Sequence, residues 1–172
     1  PERTLHGSVR AEGLIGYGVL PGFGAGVGLS LGLVFPRWRF EAAGAFWPPR
    51  EARLAGRPET GGNLLLGAAT LRGCPTPRLE SVEFPLCIGI ELGAMRGRGV
   101  GLEDASVQTR LWAAAQLGVG VAWRFTERLA LWVEGQAVVA LVRPEFRVSN
   151  AGRLHYANPA APRGSVGLEV RF

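Results

Sequence analysis

The side chains able to do chemistry in this chain are few. Of 172 residues, two are histidine (His6 and His155), two cysteine (Cys74 and Cys87), and Asp104 is the only aspartate. A nucleophilic triad needs a serine or cysteine beside a histidine that a carboxylate orients. His155 is followed by Tyr156 and Ala157, with no serine at a triad spacing. No catalytic residues, and no enzyme, are expected. Two cysteines fall short of a four-ligand zinc site, and the glycines never satisfy G-x-G-x-x-G or the Walker pattern, so no metal or cofactor is implied.

Arginine is the chemical group in surplus. All 19 basic residues are Arg, against 14 acidic ones, for a net charge of +5. They stand singly, so the clustered basic footprint of a nucleic-acid binder is missing and no nucleic acid partner is expected. Only 19% of residues are charged while 26 are glycine, an unusual surface for a soluble domain. A chain of this length fits one domain, residues 1–172.

The arginines and glutamates must be positioned by strands. Residues 13–35 are an uncharged run of 23, long enough for a transmembrane helix. The run holds eight glycines and Pro21, however, and from Gly16 onward its glycines fall only at even numbers, with Phe23, Val27, Leu29, Leu31, Leu33 and Phe35 at odd ones. Period two belongs to a strand. The alternation recurs eight times, predicting strands near 5–19, 23–35, 38–47, 62–74, 84–95, 109–125, 129–142 and 163–172.

Within these strands Arg10, Glu12, Arg39, Glu41, Arg72, Glu91, Arg110, Arg124, Glu134, Arg163, Glu169 and Arg171 share the phase of one face. Hairpin geometry agrees, because paired residues point the same way. A turn at Pro36-Arg37 sets Gly32 opposite Glu41 and Val34 opposite Arg39. A turn at 126–128 sets Ala122 opposite Trp132 and Gly120 opposite Glu134. Two features put the charged face inside. That face is otherwise largely Gly, Ala and Ser, which suits a narrow interior better than a solvated surface. Aromatics (Phe35, Trp38, Phe84, Trp123, Phe125, Phe172) gather at strand ends, as a membrane girdle requires. A soluble lipocalin-like ligand-binding barrel would reverse the two faces.

The last eight residues, Ser165-Val166-Gly167-Leu168-Glu169-Val170-Arg171-Phe172, end on an aromatic. They resemble the terminal insertion signal of bacterial outer-membrane barrels, polar-x-Gly-x-x-hydrophobic-x-aromatic, with Ser165, Gly167, Val170 and Phe172 at its specified positions. With the eight alternating segments, the chain resembles small barrels such as the OmpA transmembrane domain and OmpX. The resemblance implies an all-β, eight-stranded antiparallel up-and-down transmembrane barrel, inserted by the barrel-assembly machinery into the outer membrane of a Gram-negative bacterium. It further implies periplasmic termini, periplasmic turns at 36–37 and 126–128, and outer loops at 48–61, 96–108 and 143–162. The first outer loop, around Pro21-Gly22, is short for that pattern, and the connection from Cys74 to Phe84 is long for its side. A Cys74–Cys87 disulfide in the oxidising periplasm would tie that connection down and set Arg72 opposite Gly89 and Thr70 opposite Glu91, the alternative being two free thiols.

Eight strands leave room inside only for side chains, so Arg10, Glu12, Arg39, Glu41, Arg72, Glu91, Arg110, Arg124, Glu134, Glu169 and Arg171 are expected to form a paired plug, thickened by Trp47, Trp112 and Trp132. His6 is expected to be one more interior polar residue. The expected role is structural or surface-interacting. The alternatives are a narrow gated channel for small solutes or ions and a lipid-modifying barrel enzyme. Loop arginines (Arg50, Arg53, Arg57, Arg96, Arg98, Arg147, Arg153) are candidates for contacting lipopolysaccharide phosphates or an acidic surface partner.

Overall fold

The computed structural model describes residues 5–54, 57–100, 107–143, 145–148 and 152–172. Among them there is no helix and there are twelve strands: β1 (His6–Tyr17), β2 (Phe23–Val34), β3 (Trp38–Leu54), β4 (Arg57–Pro75), β5 (Arg78–Leu79), β6 (Val82–Glu83), β7 (Leu86–Val100), β8 (Val107–Arg124), β9 (Leu129–Val142), β10 (Glu145–Val148), β11 (Gly152–Tyr156) and β12 (Ala160–Arg171). Eight close into an antiparallel barrel in the order β1-β2-β3-β4-β7-β8-β9-β12, with β12 paired back to β1. The β5–β6 hairpin hangs from the lower end of β8, and β10–β11 form a separate ribbon. At the seam Gly7 and Phe172 exchange backbone hydrogen bonds of 2.9 and 3.0 Å.

The two-residue periodicity sorts the side chains. On β2, Val27, Leu29, Leu31 and Leu33 face outward and are about half exposed, while Gly24, Ser30 and Val34 are buried. The registers pair large inward groups with small ones: Gly32 with Glu41, Ala122 with Trp132, Gly120 with Glu134, Arg72 with Gly89 and Thr70 with Glu91. Val34 stands opposite Arg39. Trp47 shows why the polar phase of β2 is glycine. A β-carbon on Gly26 would lie 2.9 Å from the Trp47 ring and 2.7 Å from the carbonyl of Phe46, closer than van der Waals contact allows. The indole therefore packs against bare backbone at Gly16, Gly24 and Gly26.

The barrel has two distinct ends. The turn end holds both termini, the 35–37 and 125–128 turns and the 76–85 connection; the loop end holds the 18–22 turn and the other connections. The 18–22 turn is tight, with Gly18 and Gly22 at φ of +90° and +68°, values that disfavour any residue with a β-carbon. Outward aromatics mark both ends: Trp38, Phe40, Phe84, Trp123, Phe125 and Phe172 at the turn end, Tyr17, Phe23 and Phe46 toward the loop end. A strand of 12 residues such as β1, tilted as in small barrels, sets these belts about 30 Å apart.

The strands run longer than expected on one wall. The described residues of the expected 48–61 loop are strand, since β3 continues to Leu54 and β4 begins at Arg57. Pro48 and Pro49 sit where the β3–β4 register shifts between Trp47 and Arg50. This irregularity flips the phase, so that Ala52, at an even position, is buried as Trp47 is at an odd one. Likewise β7 reaches Val100 and β8 starts at Val107, which narrows the expected 96–108 loop, and β10–β11 occupy part of 143–162. The sequence hid these extensions because strands projecting above an apolar layer no longer alternate polar with apolar. The barrel is consequently lopsided: β3, β4, β7 and β8 have 17, 19, 15 and 18 residues, whereas β1, β2 and β12 have 12 each.

Candidate functional site: the filled lumen

The inward phase of the strands builds a stack of charged and aromatic side chains. Midway down, Arg10 donates through Nη1 and Nη2 to both carboxylate oxygens of Glu41 at 2.9 and 3.0 Å, and through Nε to Glu12 at 3.2 Å. Arg72 reaches Glu41 at 2.7 Å and Glu134 at 2.8 Å. Trp132 donates its indole N–H to Glu134 at 3.0 Å and lies beneath two cations, with the Arg10 and Arg39 guanidinium carbons 4.0 and 4.8 Å from its ring centre. Arg39 donates to Glu169 at 2.5 Å. The ring face compensates part of the desolvation of an arginine that has few acceptors.

Nearer the loop end Glu91 collects four donor side chains from three strands, β4, β8 and β12. Arg163 approaches both of its oxygens at 2.7 and 3.2 Å, Trp112 donates at 2.6 Å, Gln116 at 2.5 Å and Thr70 at 3.4 Å. Arg163 also lies 5.1 Å over the ring of Trp47. Between this cluster and the central one is a cavity of about 20 Å³ bordered by Glu12, Thr70, Arg72, Gln136 and Arg163, room for about one water. Burying such charges costs several kcal/mol per ion unless each is paired with good geometry; here multiple donors meet Glu41, Glu91, Glu134 and Glu169.

At the turn end Arg171 holds Glu83 with two bonds of 2.8 Å and Glu169 with one of 2.6 Å. Arg78 and Arg124 approach the same Glu83 at 3.1 and 3.5 Å. Burial pushes the Glu83 carboxyl up, but the hydrogen bonds and charge of Arg171, with Arg78 and Arg39, outweigh it and hold the group below its ordinary value. Cys74 and Cys87 are joined by a disulfide beside this connection.

Ten of the eleven charges expected inside point into the stack or its mouth: Arg10, Glu12, Arg39, Glu41, Arg72, Glu91, Arg124, Glu134, Glu169 and Arg171. Arg110 does not. It is exposed at the loop end, paired in register with Met95, where the interior is already filled by Met95 and Trp112 and the β8–β9 register shifts at Ala113. His6 is exposed as well, because it sits at the rim of the turn end and not within the stack. Asp104 and the His155 side chain lie outside the described residues, as do the side chains of Arg57, Arg147 and Arg153. Of the C-terminal residues, Ser165 and Gly167 face inward, while Val170 and Phe172 face outward.

Two features escaped the sequence reading. Glu83 has no strand periodicity around it, so nothing marked it as the base of the stack. The other is an apolar lid at the loop end, where Leu14, Leu20, Leu64, Leu66, Met95, Trp112 and Val138 form one buried cluster. A signal existed: Leu14, Leu64, Leu66, Met95 and Val138 all stand in the inward phase, and all on the loop side of their strands.

No protein-family model matches this chain, and no curated protein sequence matches it. Solved structures match at the level of fold. A major outer membrane protein of Thermus thermophilus superposes with a TM-score of 0.66 at 15% identity, covering 96% of this chain and 99% of that one. Neisserial surface protein A gives 0.58 at 16% identity, over 98% and 97%. Ail of Yersinia pestis, solved with the heparin analogue sucrose octasulfate, gives 0.59 at 12% identity, over 98% and 97%. The chain thus has the eight-stranded barrel fold of small outer-membrane proteins.

Proposed function

We propose that this chain is an integral barrel of a bacterial outer membrane, with both termini on the periplasmic side and a lumen closed to steady flow, serving a structural and surface-contact role without catalysis. The observation that carries this reading is the sorting of side chains: leucine, isoleucine, valine and phenylalanine outward in a band bounded by aromatics, arginine and glutamate buried in paired contacts within. Only hydrocarbon around the barrel makes the outward band inexpensive, since a contiguous apolar girdle of this size is costly in water. The apolar lid and the charge stack lie in series along the lumen, and either one alone resists an ion. On the tall wall, Arg53, Arg96 and Arg98 are exposed above the outward apolar residues Leu92 and Leu111, a level suited to lipopolysaccharide phosphates or an acidic surface partner. The C-terminal strand is the element offered to the barrel-assembly machinery.

The test is fractionation followed by gel migration with and without boiling, together with planar-bilayer recording. The expected result is membrane-fraction protein whose migration changes on boiling and which shows no steady conductance. Soluble protein indifferent to boiling would overturn the membrane placement, and reproducible openings of porin size would overturn the closed lumen.

A further inference from the structure

Where the β2–β3 turn meets the β4–β7 connection, the turn end carries a cleft of about 510 Å³ that the lumen stack does not use. Pro36 and Arg37 come from the turn, Pro75, Pro77 and Arg78 from the connection, and Trp38 from the start of β3. The walls are fixed: Trp38 and Pro75 are register partners, Thr76 N–H donates to the Arg37 carbonyl at 2.9 Å, and Cys74 beside Pro75 is disulfide-bonded. Three prolines supply no N–H, so the donors that face a ligand are mainly the two guanidiniums.

The cleft opens on the outer surface of the barrel. Arg39 and Glu41 point inward, so Trp38 and Phe40 point outward. Trp38 is half exposed and stacks on Phe40 with ring centres 6.5 Å apart, while Phe35 meets Phe40 edge-on at 6.1 Å. An apolar aromatic track therefore leads from the cleft onto the lipid-facing band.

Its charge is unbalanced. Glu83 is shared by Arg171, Arg78 and Arg124, and Arg37 is exposed with no ion-pair partner among the described residues. Three guanidiniums thus converge on the one carboxylate of Glu83, Arg171 alone among the described residues having a second carboxylate partner in Glu169, and Arg37 adds a further cation on the cleft wall beside Arg78. Burial, and then the like charges of Arg171, Arg124 and Arg39, push the Arg78 guanidinium below its ordinary value, with Glu83 opposing. An added anion relieves that repulsion, and arginine with its planar fork of donors suits phosphate.

We propose that this cleft binds an anionic glycerophospholipid of the membrane leaflet at the turn end, its phosphate held between Arg37 and Arg78 and an acyl chain lying along Trp38 and Phe40. The inference rests on the membrane placement above, and its test separates the two. Of the five tryptophans, Trp47, Trp112 and Trp132 are buried in the lumen and only Trp38 and Trp123 are exposed to lipid, so Trp123→Phe leaves Trp38 as the lipid-facing reporter. The protein is folded into phosphatidylcholine vesicles containing a minor fraction of phosphatidylglycerol brominated on its acyl chains, or the same fraction of brominated phosphatidylcholine, and fluorescence quenching is titrated. With two arginines at the headgroup, half-maximal quenching is expected at about thirtyfold lower mole fraction for the anionic lipid. Arg37→Gln with Arg78→Gln abolishes the preference, and Arg37→Gln alone, at an exposed turn residue outside the lumen stack, reduces it. Equal quenching by both lipids overturns the site but leaves the membrane placement standing, because Trp38 is still reached by acyl chains. A preference unchanged in the double variant overturns the assignment to these arginines. Absence of quenching by either lipid overturns the site and the membrane placement together.

Discussion

Arg171, the penultimate residue, clasps Glu83 through two parallel hydrogen bonds of 2.8 Å. The contact joins the last strand to a connection 88 residues earlier in sequence and seats the β5–β6 hairpin across the turn end. Backbone bonds from Arg124 N–H to Ser81 O and from Phe84 N–H to Pro77 O, 2.8 and 2.9 Å, complete the seat.

The pair makes the seat acid-sensitive. Glu83 titrates below its ordinary value in the folded chain, against about 4.3 when unfolded, so its contribution is fully present above the unfolded value and is lost as pH falls through the folded one. The protection factors of the Phe84 and Arg124 amides, exchange being corrected for its intrinsic pH dependence, are expected to fall below about pH 4, while amides of the central barrel keep theirs. Glu83→Gln removes that pH dependence and costs about 3 kcal/mol at neutral pH, because Arg171 keeps only Glu169 while Arg78 and Arg124 lose the carboxylate they share with it. Protection factors at these two amides that are flat with pH in the wild type would refute the assignment.

Leu31 and Leu117 stand near mid-strand on the outward face, 57% and 54% exposed. Placing Arg at either one puts a guanidinium in hydrocarbon and should lower stability in lipid by about 2–4 kcal/mol, read from denaturant unfolding in vesicles. Folding of both variants with wild-type midpoints would mean that the outward face does not meet lipid.

How much of this was legible follows from where alternation operates. The phase of Gly24, Gly26, Gly28 and Ser30 against Val27, Leu29 and Leu31 could be read because each residue meets either hydrocarbon or a crowded lumen, and the two select opposite side chains. The registers around Glu41 and Glu134 followed from turn length alone. Past Trp47 the rule fails twice: Pro48 and Pro49 shift the phase, and beyond the apolar band both faces are wet. Arg110 was misplaced for a related reason, since phase tells which way a side chain points but not whether the barrel at that height is already full. Glu83 lies on a two-residue strand, too short for any period, and only the fold brings it under Arg171.

The Cys74–Cys87 bond closes a short loop, with a sequence separation of 13, and restrains mainly the unfolded chain. Replacing both cysteines by serine should cost about 2–3 kcal/mol. A reducing agent should reproduce the loss in the wild type and leave the double variant unaffected. Equal midpoints for oxidised and reduced wild type would show that the barrel wall already supplies the restraint.

Two glycines on adjacent strands separate lumen crowding from backbone preference. Gly118 faces inward, and a β-carbon there would land on the Glu134 carboxylate, the group that accepts from Arg72 at 2.8 Å and Trp132 at 3.0 Å. Gly135 faces outward with nothing within 4 Å of its would-be β-carbon. Gly118→Ala must therefore displace Glu134 and weaken two buried contacts, a loss of about 2–4 kcal/mol. Gly135→Ala only restricts the unfolded chain and adds outward apolar surface, so it should be neutral or stabilising by about 0.5–1 kcal/mol. The pair is decisive because strand propensity alone predicts the same small gain at both positions. Urea midpoints that shift in the same direction for the two variants would mean that the glycine-rich inward phase reflects something other than room for the charge stack. Opposite shifts, with indole fluorescence altered only in Gly118→Ala as Trp132 loses its acceptor, are the expected outcome.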